Sequence, residues 1–116
     1  TTYKAKGAIA DSDPLAVGLT TGGAAEAECL GAADLIILFG FDPIELIPHP
    51  WRYDAPLLEL GRVAGLPHYR APTLSLIGAL DKSAESLRGA NRSGGWTADE
   101  IAGFKTRMHS SKKRCG

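Results

Sequence analysis

The segment that most constrains the fold is Leu35-Ile36-Ile37-Leu38-Phe39-Gly40. Five consecutive apolar residues leave no polar face, and a glycine ends them. A strand with one wet face alternates apolar and polar residues, whereas a strand covered on both faces reads as an unbroken apolar run. The run therefore predicts a central strand of a parallel sheet over 35–39. Ala32-Ala33-Asp34 before it reads as the end of a helix, and Gly40 as a turn. Leu57 to Leu60 and Thr73 to Ile77 are two further strand candidates. Thr1-Thr2-Tyr3 reads as the end of another strand, with Lys4 to Gly7 turning out of it.

The intervening segments carry helix signals. Thr20-Thr21-Gly22-Gly23 opens a helix running to about Ala33, with Ala25, Cys29, Ala32 and Ala33 at helical spacing. Asp42 can cap and Pro43 suits the first helical position, so Ile44 to Ile47 is predicted as a short helix that Pro48 and Pro50 stop. Asp81 is expected to cap a helix from about Lys82 to Arg88. Thr97-Ala98-Asp99-Glu100 has the form of a capping box, and Trp96 with Ile101 that of a hydrophobic staple. Ile101, Phe104 and Met108 share one face of this last helix. Asp11-Ser12-Asp13-Pro14 is a loop by composition, and Leu15 to Gly18 is short and extended. Trp51 and Tyr53 lie in an aromatic loop that could belong to a ligand pocket or a domain interface; the framing Pro48, Pro50 and Pro56 favour a rigid packing loop. The reading is α/β: residues 1–90 form the domain, and 91–116 a glycine-rich linker and an exit helix.

Composition narrows the function. The chain has 116 residues, enough for one modest core. Thirteen basic residues balance thirteen acidic ones, so no global field recruits nucleic acid or an anionic membrane. Lys112-Lys113-Arg114 reads as a solvated tail. No apolar run is long enough to span a bilayer, and no signal peptide is present. Cys29 and Cys115 form no CxxC pair, which fits a reducing cytoplasm. Cys29 reads as a small buried hydrophobe. His49, His68 and His109 have no metal-ligand spacing, and no G-x-S-x-G nucleophile elbow occurs. Neither catalytic nor metal-binding residues are expected within the chain. Position 1 is Thr and not Met, so the sequence reads as cut from a longer one.

In this order, several segments resemble the central domain of the thiamine-diphosphate-dependent enzymes, the superfamily of acetolactate synthase, benzoylformate decarboxylase and oxalyl-CoA decarboxylase. The matching pieces are Thr1-Thr2 with Lys6-Gly7, Asp13-Pro14-Leu15, Gly22 before the alanine-rich helix, and Ala33 to Gly40. Pro50-Trp51, Leu57 to Leu60 and Trp96 with its helix complete the match. The resemblance implies a Rossmann-like, FAD/NAD-binding-like three-layer fold, a parallel sheet flanked by helices, six-stranded when complete and truncated here at its N-terminal end. It implies a pyrimidine-binding domain before this segment and a diphosphate-binding domain after it, in a homo-oligomeric parent. That parent would be a magnesium- and thiamine-diphosphate-dependent decarboxylase or carboligase, a lyase or transferase acting on 2-oxo acids. The activating glutamate and the Gly-Asp-Gly…Asn-Asn motif would lie in the other domains. This chain has no Gly-Asp-Gly and one asparagine, Asn91. No activity of its own is expected, and the implied role is structural and inter-domain.

Some members of that family bind FAD or ADP in this domain. The resemblance places such a site at Lys6 and Gly7, at Gly22 and Gly23, and at Gly40, Phe41 and Asp42. Strand carboxyl ends and helix N-termini offer backbone N–H groups to phosphates. Three departures disfavour it: Gly61-Arg62-Val63 stands where a ribose-holding acid is usual, Gly78-Ala79 replaces a Gly-Asp pair, and the loop from Gly18 to Gly22 is shorter than in acetolactate synthases. The alternative reading is a free-standing module that binds FAD, ADP or NAD through its glycine turns.

Overall fold

The computed structural model of the chain describes residues 1–2, 5, 7–19, 26–41, 51–62, 72–89 and 95–115, of which 111–115 by backbone alone. It divides into two compact units, one built from residues 1–32 and 95–116, the other from 33–94.

The second unit holds the sheet. Its strands are β1 (Ile36–Phe39), β2 (Leu57–Gly61) and β3 (Leu74–Ile77), all parallel and in the order β1-β2-β3. Ile36 faces Leu57 and Phe39 faces Leu60, while Leu58 faces Leu74 and Gly61 faces Ile77. Strand period two then places Ile36, Leu38, Leu57, Glu59, Ser75 and Ile77 on one face of the sheet. Ile37, Phe39, Leu58, Leu60, Leu74 and Leu76 take the other. Leu57 and Leu60 belong to opposite faces and are 4 % and 0 % exposed, so β2 is covered on both sides. Ile36 is the third buried residue of this core.

The sequence places the central strand at 35–39, but the structure gives that position to β2. β1 pairs only with β2 among the described strands, and its Ile37 and Phe39 are exposed. Pairing on both edges decides which strand is central, and an unbroken apolar run does not report it. β2 tolerates a carboxylate because the Ser75 hydroxyl on β3 donates to Glu59 Oε2 at 2.9 Å. A buried or half-buried polar side chain is stable in a sheet when it is hydrogen-bonded.

Helix α2 follows β3, runs over Leu80–Gly89 and lies against β2. It starts two residues before the expected Lys82, so Asp81 sits in its first turn and is not its cap. A carboxylate there still favours the helix, because the N-terminus carries partial positive charge.

The first unit joins the two ends of the described chain. Helix α1 spans Ala27–Gly31, within the range expected from 20 to 33; residues 20–25 lie outside the described ones, as does the expected helix at 44–47. Helix α3 spans Ala98–Cys115. The Glu100 N–H donates to Thr97 Oγ1 at 3.1 Å, the N-cap bond that the sequence predicts. Phe104 and Met108 are buried and Ile101 is half-buried, so the expected apolar face is present. Trp96 packs edge-on against Phe104, ring centroids 5.3 Å apart.

Thr1 and Thr2, read from the sequence as a strand end, lie in no strand. Thr2 instead accepts a turn bond from the Ala5 N–H at 3.1 Å, and Ala5 accepts one from Ala8 at 3.0 Å. The Thr1 amino group donates to the Gly18 carbonyl at 3.0 Å. Local turns satisfy these groups where no neighbouring strand does. Asp13 organises the loop that follows: its carboxylate accepts the Leu15 N–H at 2.8 Å and its carbonyl the Ala16 N–H at 3.0 Å. Leu15 to Gly18 forms no regular strand.

Candidate functional site at the carboxyl edge of the sheet

Parallel strands bring their carboxyl ends to one edge, where ligands of open α/β sheets bind. Here each strand arrives at that edge with a glycine. Gly40 follows β1, Gly61 ends β2, and Gly78 follows β3. Gly40 has φ +61°, a conformation that a side chain disfavours, and a Cβ there would sit 3.5 Å from Leu80 Cδ1. A Cβ on Gly78 would meet nothing within 4 Å. Among the described residues, Gly78 therefore leaves room for a close backbone approach.

The hydrogen bonding at this edge is less accommodating. The Gly40 N–H donates to the Leu60 carbonyl and the Gly78 N–H to the Gly61 carbonyl, both at 2.8 Å. These two amides serve the sheet ladder and are not available to cradle a phosphate. The N-terminus of α2 opens at the same edge, two residues beyond Gly78, but its first turn carries Asp81. A carboxylate there competes with any anion for the helix terminus. Arg62, just past β2 and exposed, is the basic side chain next to this edge in sequence.

Of the residues proposed for nucleotide binding, Gly40 and Phe41 lie at this edge. Gly7 lies in the other unit, in a turn with φ +91° and open space around its Cβ position. Lys6, Gly22, Gly23 and Asp42 lie outside the described residues. Within the second unit, Gly40 and Phe41 are the described members of that set. The Ser75–Glu59 pair on the sheet was not expected; two polar residues in separate apolar runs give no sign that they will be in register.

The first unit has its own polar contacts. Lys105 Nζ donates to the Asp11 carbonyl, and lies 3.4 Å from that of Asp13. Arg107 Nε donates to Glu28 Oε2 at 2.8 Å, tying α3 to α1, and its guanidinium lies 5.2 Å from the centre of the Phe104 ring. Cys29, half-buried on α1, has its thiol pKa raised, first by burial and then by the Glu28 carboxylate. Among the described residues, no three His, Cys, Asp or Glu side chains are grouped to hold a metal ion. Nor is any of their helices long and apolar enough to cross a membrane.

Fold and edge define an α/β protein built on a small parallel sheet. No protein-family model, curated protein or solved structure matches the chain.

Proposed function

We propose that the chain is a non-catalytic central-domain segment of a thiamine-diphosphate-dependent enzyme, a decarboxylase or acetolactate-synthase-like carboligase of the cytoplasm. The observation that carries this reading is the parallel pairing of Ile36–Phe39 with Leu57–Leu60. These are two segments on which the family resemblance rests, and they lie side by side as a central-domain sheet requires. In the complete domain, further strands and helices on both faces would make three layers. The segment would connect and orient the pyrimidine-binding and diphosphate-binding domains and support contacts within a homo-oligomer.

The described residues do not fit the cofactor's metal. Mg²⁺ takes oxygen ligands in near-octahedral array. Among the described residues, no three His, Cys, Asp or Glu side chains are grouped to supply them. Thiamine diphosphate and Mg²⁺ would therefore bind to the flanking domains. The carboxyl edge favours the second reading, a module for FAD, ADP or NAD, in one respect only: three strands reach it with glycines. The engaged amides of Gly40 and Gly78 count against it.

Calorimetry on the chain separates the readings. The central-domain reading expects no saturable heat from thiamine diphosphate with Mg²⁺, nor from ADP, FAD or NAD. A micromolar dissociation constant for a nucleotide, about −8 kcal/mol, would replace it with the module.

A further inference from the structure

The unit formed by residues 1–32 and 95–116 walls a cavity of about 420 Å³, a size in the range of small-molecule sites. Helices α1 and α3 contribute Cys29 and Met108 to its wall, and the loop before α1 contributes Ile9, Leu15 and Val17. We propose that residues 8–17 are a lid on this cavity and that Lys105 is its latch: release of the Lys105 ammonium lets the loop swing on Gly7 and Gly18 and admits small molecules.

A lid needs hinges, internal stiffness and a weak hold on its frame, and the loop has all three. Gly7 and Gly18 bracket it with φ of +91° and +152°, and glycine absorbs backbone rotation there that other residues resist. Between them the backbone is held by local turns. The Asp13 N–H donates to the Ala10 carbonyl and the Ala16 N–H to that of Asp13, both at 3.0 Å, while the Leu15 N–H donates to the Asp13 carboxylate at 2.8 Å. These bonds span two or three residues, so they survive when the loop moves as a body. Among the described residues, the hydrogen bonds from the loop to α3 all come from Lys105, whose Nζ donates to the Asp11 carbonyl and lies 3.4 Å from that of Asp13. Apolar packing adds little, since Ile9 is 51 % and Leu15 74 % exposed. A charged donor makes a strong bond to a carbonyl, but a long side chain regains rotamer freedom on letting go. The frame stays behind: Arg107 of α3 is paired with Glu28 of α1, and Met108 is buried.

Cys29 lines the cavity and reports its opening. In a Cys115→Ser background, the rate at which methyl methanethiosulfonate modifies Cys29 is measured at neutral pH in increasing urea, all below the unfolding transition. Lys105→Met keeps the apolar stem and removes the donors, and it should speed the modification on the order of tenfold. Lys105→Arg keeps charge and donors and should stay close to the parent rate. Lid opening exposes little surface, so the rate should rise with urea far less steeply than global unfolding does. An unchanged rate in Lys105→Met, or an equal increase in Lys105→Arg, would overturn the latch. A urea slope equal to that of global unfolding would overturn the lid. That slope is read on the chain with Lys105 intact, so it decides even if Lys105→Met does not fold.

Discussion

Leu60 is the most buried side chain described, with no exposed surface, on the face of β2 opposite Leu57. Truncating it removes apolar contacts that a small sheet cannot replace. Leu60→Ala should destabilise the chain by about 2–5 kcal/mol, read as a lower midpoint in urea unfolding. A loss below about 0.5 kcal/mol, the usual range for a surface site, would show that β2 is not the core strand. Cys29 makes a different claim at the same scale. Its raised pKa comes first from burial and second from Glu28. Glu28→Gln in a Cys115→Ser background should therefore lower the pH midpoint of Cys29 alkylation while leaving it above that of a free thiol. An unchanged midpoint would remove Glu28 as a cause. The sign for stability follows: a folded pKa above the unfolded one stabilises the fold below the unfolded value. That contribution disappears as pH rises through the folded value.

The helices and strands were legible in the sequence to different degrees. α3 was the clearest, because Thr97 and the spacing of Ile101, Phe104 and Met108 state a cap and a buried face in local terms. Thr97→Ala should cost about 0.5–2 kcal/mol, seen by urea unfolding, with Thr97→Ser retaining most of the stability. Equal losses in both variants would mean that the hydroxyl bond to Glu100 is not what matters. The three strands were also readable from their apolar runs. Their order was not, since β1 has the more continuous run and yet lies at the edge of the described strands. Glu59 made β2 look less buried than it is; its hydrogen bond with Ser75 depends on register between strands sixteen residues apart in sequence. The N-terminal strand misled for a related reason: a β-prone Thr-Thr-Tyr segment becomes a strand only with a partner, and Thr1 and Thr2 form turn and loop contacts instead.

At the scale of the molecule, an α/β chain with a parallel sheet was legible from Leu35–Gly40 and the apolar runs that follow. The candidate site was legible only in part. Glycine positions predict where a backbone can come close to a ligand, and Gly40 with Phe41 does lie at the carboxyl edge. Whether the amides there are free depends on strand register, and the register engages those of Gly40 and Gly78. The cavity walled by Glu26 and Met108 joins segments about eighty residues apart, which no local pattern announces. The central claim is that this sequence is one domain of a larger cofactor-dependent enzyme. It is tested most directly by sequencing the gene on both sides of the codons for Thr1 and Gly116. The account predicts an open reading frame continuing in both directions, with a Gly-Asp-Gly…Asn-Asn motif downstream. A start codon immediately before Thr1 and a stop codon immediately after Gly116 would contradict it.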